Sequence, residues 1–139
     1  MKKILIVMII VLLFSCNDKE KEKYDFISNL INNPENYESI IKGSRLISPF
    51  SEQHMLRFMK DRGKELFKNN FTGKKYLIIF DTTVTYTPKR NYTTNVIKIQ
   101  SNNKVINFGF WYFDNNWYLF NVTENELLEI PHKNDNDIK

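Results

Sequence analysis

The chain has 139 residues, 42% of them hydrophobic and 14% aromatic, with four glycines, four prolines, a single cysteine and a formal charge of +4. This composition describes one ordered domain with a real core and excludes a disordered stalk or a disulfide scaffold. Without residues 1–15, 124 residues with 18 basic and 16 acidic side chains remain, so the excess falls to +2, too little and too dispersed for a nucleic-acid footprint.

Lys2 and Lys3 precede Ile4–Phe14, eleven residues without a polar side chain. As a helix this run reaches roughly 17 Å, short of the ~30 Å hydrocarbon core, which suits a secretory h-region better than a membrane span. Leu13-Phe14-Ser15-Cys16 closes it with an aliphatic residue, a small residue and then the only cysteine. These residues resemble the lipobox of bacterial lipoproteins; Phe14 departs from the small or aliphatic residue more usual at that position. The resemblance implies a signal peptide over 1–15, cleavage before Cys16, a diacylglyceryl group on its thiol, and residence in the bacterial cell envelope, periplasmic or surface-exposed. Two or three acyl chains hold a protein firmly where one does not. Asn17–Lys23 alternates in charge and has no apolar residue. With Cys16 it is expected to be a solvated tether over 16–23, leaving one domain over 24–130 and a polar tail over 131–139.

Phe26, Ile27, Leu30 and Ile31 fall at helical spacing. Asn33-Pro34 offers a cap and a first helical proline for a second short helix bearing Tyr37, Ile40 and Ile41. A third helix is expected after a Ser51 cap, with Phe50 and Met55 as a hydrophobic staple. It carries Met55, Leu56, Phe58, Met59, Leu66 and Phe67 to a stop at Asn69-Asn70 and Gly73, with Gly63 weakening it.

From Lys74 the period becomes two. The first strand is expected to set Tyr76, Ile78, Phe80, Val84 and Tyr86 on one face and Leu77, Ile79, Asp81, Thr83 and Thr85 on the other. A turn at Pro88–Asn91 leads to a second strand over 92–100. Lys104–Phe113 follows, with Ile106, Phe108, Phe110 and Tyr112 on one face, then an Asp114-Asn115-Asn116 turn and a fourth strand from Trp117 to Val122. Thr123 and Glu126 have capping-box spacing, so Leu127, Leu128 and Ile130 form either a last helical turn or an extension of the sheet edge.

The fold class expected is α+β, with N-terminal helices on one face of a curved four-stranded antiparallel meander. The closing stretch FWYFDNNWYLFNV resembles the terminal hairpin of nuclear-transport-factor-2-like cones, whose mouth can hold a ligand. Other helix-plus-meander sheets, a cystatin-like domain among them, share the layout.

Chemistry-bearing motifs are scarce. His54 and His132 are the only histidines, no HExxH, CxxC, GxSxG or phosphate loop occurs, and neither a metal nor another cofactor is expected. Asp81 is the most unusual carboxylate. Buried in a cone's mouth it would serve as a base, as the resemblance to isomerases and cyclases of that superfold implies; facing solvent beside Thr83 it would do nothing. Tyr86, Trp111, Tyr112, Trp117 and Tyr118 either line a pocket or form core and cross-strand pairs. Lys74-Lys75 and Lys89-Arg90 read as solvated turns or as weak attraction to anionic headgroups. The first expectation is a non-enzymatic, lipid-anchored binding module. Its partners would be the membrane through Cys16 and a protein, a cell-wall component or a small apolar molecule, with no nucleic acid. A small isomerase or cyclase using Asp81 and an immunity-type lipoprotein that blocks a partner through exposed aromatics are the alternatives.

Overall fold

A computed structural model describes residues 18–86 and 92–126. The expected signal segment over 1–15, Cys16, the expected turn at Pro88–Asn91, Leu127–Ile130 and the tail with His132 lie outside the described residues.

Helix α1 covers residues 18–32. A 3₁₀ turn, Pro34–Asn36, leads into α2 (Tyr37–Gly43). Proline takes the first position as expected, but Asn33 makes no side-chain cap and bonds back to Asn29 instead. Helix α3 (Pro49–Phe58) runs through a π-turn, Met59–Gly63, into α4 (Lys64–Asn70). Its cap is Ser48, not Ser51: the two serines form a reciprocal capping box, and Pro49 supplies the helical φ at the first position. Phe50 is 96% exposed, so the expected staple does not form. Gly63 sits where a Cβ would lie 2.7 Å from Met59 Sδ and from the Phe58 ring, so close side-chain approach requires glycine at the π-turn.

The sheet is an open antiparallel meander in the order β1 (Leu77–Tyr86), β2 (Tyr92–Ser101), β3 (Lys104–Phe113), β4 (Asn116–Glu126). The α+β architecture matches the expectation. Asp114 and Asn115 both adopt positive φ, 48° and 60°, which closes the β3–β4 hairpin tightly. Thr123–Glu126 continues β4 rather than capping a helix, pairing with Lys104–Asn107.

The helix-facing side of the sheet presents Ile97, Ile99, Ile106, Phe108, Phe110, Trp117, Leu119 and Val122 to Phe26, Ile27, Leu30, Ile31, Met55, Met59 and Phe67. Phe67 stacks on Phe108 at 6.5 Å and meets Phe71 edge-on at 5.9 Å. Glu124 accepts from Arg62 and Lys104 at 3.3 and 3.1 Å, tying the π-turn to the far end of β4.

Two irregularities depart from strict alternation. In β1, Ile78 pairs with Ile99 but Phe80 pairs with Lys98, so Ile79 is an extra residue and every side chain after it changes face. Asp81, Thr83 and Thr85 thereby join the helix-facing rows of Ile97, Asn95 and Thr93, while Phe80 and Val84 move to the outer face. The expected grouping of Phe80 and Val84 with Ile78 is therefore overturned. In β4, Phe120 is the extra residue opposite Gly109, and its ring lies over the glycine, 2.7 Å from where a Cβ would stand.

Candidate functional site

The expected solvated tether is overturned within the described residues. Residues 18–23 form the first turns of α1, and Lys23 is fully buried. Extending the stripe of Phe26, Ile27, Leu30 and Ile31 back one turn lands on position 23. The lysine stem lies in the core, and its ammonium is 3.9 Å from the Trp117 ring centroid and 5.8 Å from that of Phe110. Nζ donates to Asn95 Oδ1 at 2.9 Å and pairs with Glu20 at 2.8 Å. A buried cation needs such partners, since an unpaired one would face a large desolvation cost.

Asn95 relays this contact to β1. Its amide nitrogen donates to Asp81 Oδ1 at 2.7 Å, Thr83 Oγ1 at 3.2 Å and the Thr82 carbonyl at 3.3 Å. The amide orientation follows from its neighbours: oxygen toward the ammonium, NH₂ toward the carboxylate. Tyr24, next to Lys23 on α1, donates its hydroxyl to the other Asp81 oxygen. Glu20 in turn accepts from Trp117 Nε1 at 2.8 Å, and Lys19 donates to the Asn115 carbonyl in the β3–β4 turn. One network, Glu20–Lys23–Asn95–Asp81–Tyr24, thus clamps the start of α1 across β1, β2 and the hairpin that joins β3 to β4.

Asp81 therefore faces the helix side, as the bulge dictates, yet it stays exposed and engaged by Asn95 and Tyr24. The residues offered as pocket walls do not converge. Trp117 is core beneath Lys23, Tyr112 packs on Trp117 at 5.0 Å, and Trp111 stacks on Phe120 at 5.0 Å on the outer face. A separate concavity of about 430 Å³ lies between α1 and α2, wide open and bounded by Glu22, Asp25, Asn29 and Ser44, with Asp81 outside it. Its carboxylates are partnered by Arg45 and Lys21. His54 is exposed on α3, and no group of three metal-ligating side chains occurs among the described residues.

An exposed apolar surface lies at β1. Leu77, Ile78, Ile79, Phe80 and Val84 are between 41% and 66% exposed. β4, the opposite outermost strand, is partly covered because the chain at Leu46–Ile47 pairs with Leu119 through a 2.7 Å hydrogen bond and an isolated bridge. β1 pairs with β2 alone in the described sheet and presents ten residues of strand edge. The meander expected from the sequence already places this strand outermost, and its start, Leu77 to Phe80, is apolar at every position.

The chain matches no protein-family model, no curated protein and no solved structure.

Proposed function

We propose that this is a lipid-anchored protein of the bacterial cell envelope, held by acyl chains on Cys16, that captures an extended segment of a partner protein by strand addition to β1. The observation that carries the reading is the exposed apolar edge from Leu77 to Phe80, which has no strand neighbour on its outer side among the described residues. Proteins ordinarily blunt such edges, because unpaired backbone groups beside apolar side chains template further pairing. Strand addition uses that template: backbone hydrogen bonds supply affinity and alternate side chains supply selectivity. Lys74 and Lys75 lead into the strand, and Lys98 lies 4.9 Å over the Phe80 ring. A partner strand with acidic residues beside its apolar ones complements them. A second copy paired antiparallel about the strand centre would bring two Asp81 carboxylates together, which disfavours self-pairing.

Asp81, tied to Asn95 and Tyr24, acts in this reading as a fastener between α1 and β1 rather than as a base.

The test is a photocrosslinking residue placed at Leu77 or, as a control, at Phe50, in the full chain expressed in its membrane. The reading expects a discrete heavier adduct from position 77, none from 50, and loss of the adduct when Ile79→Pro takes a backbone donor out of β1. No adduct at 77, or equal adducts at both positions, in a chain that remains folded overturns it.

A further inference from the structure

The two ends of the sheet differ. In a meander the β1–β2 and β3–β4 connections share one end and the β2–β3 turn occupies the other. The apolar start of β1, where Leu77 pairs with Gln100, belongs to the β2–β3 end. The β3–β4 end is aromatic. Phe113 is 72% exposed beside the Asp114-Asn115 turn, and Trp111 is 52% exposed and stacked on Phe120. Tyr92 begins β2 on the same outer face, and its neighbour Thr93 pairs with Tyr112. Among the described residues, the helices pack on the sheet face opposite these four rings.

This end also receives the start of the described chain. Lys19 bonds to the Asn115 carbonyl, and Glu20 bonds to Trp117 on the far side of the same turn. Cys16 precedes Asp18 by two residues, a reach of at most about 7 Å. Whatever enters the bilayer through this stretch of chain brings the β3–β4 hairpin to its surface.

We infer that Trp111, Phe113, Phe120 and Tyr92 form a second membrane contact, seated among the lipid headgroups beside the Cys16 acyl chains. The inference rests on the lipid-anchored reading. Tryptophan and tyrosine favour the interface because their rings are apolar at one end and hydrogen-bonding at the other. Four rings would bind a free bilayer weakly, but a two-residue link holds them at a high local concentration of lipid. The rigid attachment of α1 then fixes the orientation: the hairpin faces lipid, and the Leu77–Phe80 edge is carried at the end away from it.

The chain has two tryptophans, Trp111 exposed and Trp117 buried, so fluorescence separates them. The lipidated full-length product is reconstituted into phosphatidylcholine vesicles with plain or brominated acyl chains, as native protein, Trp111→Phe and Phe113→Asp, with Lys89 and Arg90 unchanged throughout. Bromine quenches only rings within the bilayer. Native emission is expected to fall by roughly half, Trp111→Phe to lose the quenchable component, and Phe113→Asp to keep co-floating with vesicles while its quenching weakens. Co-flotation with equal, negligible quenching in native and Trp111→Phe protein overturns the inference alone, and that outcome would assign the aromatic face to another occupant. Failure to co-float, unchanged by Cys16→Ala, removes the anchoring reading and the inference with it.

Discussion

Replacing Lys23 with methionine tests whether α1 is locked from its first turns. Methionine keeps most of the stem volume and removes the charge. The loss comprises a desolvated cation–π contact, about 2 kcal/mol, and a charged hydrogen bond to Asn95, about 1.5–3 kcal/mol. Against this, methionine escapes the cost of burying an ammonium, which offsets part of the loss. A net destabilisation of about 2–3 kcal/mol remains because Asn95 Oδ1 and Glu20 are left without their cation. For a domain of this size that is a fall in Tm of roughly 8–15 °C. The control is Lys21→Met on the same helix, whose side chain is 73% exposed and which should change stability by less than about 0.5 kcal/mol. Urea unfolding of the two variants gives the comparison, and a cycle with Asn95→Leu should return a coupling of at least about 1 kcal/mol. Equal stability of Lys23→Met and Lys21→Met would refute the reasoning and restore 18–23 to the role of a loose tether.

Other outcomes follow from local geometry. Gly63→Ala, which would add about 1 kcal/mol in an ordinary helix, should instead cost about 1–3 kcal/mol in thermal unfolding, because the new methyl meets Met59 and Phe58 at 2.7 Å. Gly109→Ala should push the Phe120 ring aside and disturb its stacking on Trp111, read as a change in the exposed tryptophan's emission with the sheet's far-ultraviolet dichroism retained. Hydrogen bonds from Lys64 and Lys68 hold the Glu35 carboxyl below its usual range, and the same partner raises Lys64. The Glu35 contribution is present above the unfolded carboxylate pKa and lost as pH falls through the lower folded value. Glu35→Gln should therefore flatten stability against pH on the acid side, an effect small because the pair is exposed and weaker still in high salt.

Much of the fold was legible because its elements announce themselves at short range. The stripe from Phe26 to Ile31, the run from Ile97 to Ile99 and the Asp114-Asn115 turn each satisfy a local rule. The site was not legible, for two physical reasons. The bulge at Ile79 has no glycine or proline to mark it, and one extra residue reversed the facing of Asp81 and Phe80. The segment NDKEKEK reads as solvated on composition, yet a lysine can complete an apolar stripe when its ammonium finds an aromatic face and an amide oxygen, and those partners lie 72 and 94 positions away at Asn95 and Trp117. The signal that could have found it was positional: 23, 26, 27, 30 and 31 share one helical face. Likewise Ser48-Pro49 was a better start for α3 than Ser51, because proline prefers the first helical position.

The most direct test of the central claim is the intact mass of the mature chain's N-terminal peptide, taken from membranes. The account predicts that it begins at Cys16 and carries a thioether-linked diacylglyceryl group. A peptide beginning elsewhere, or beginning at Cys16 with a free thiol, would contradict it.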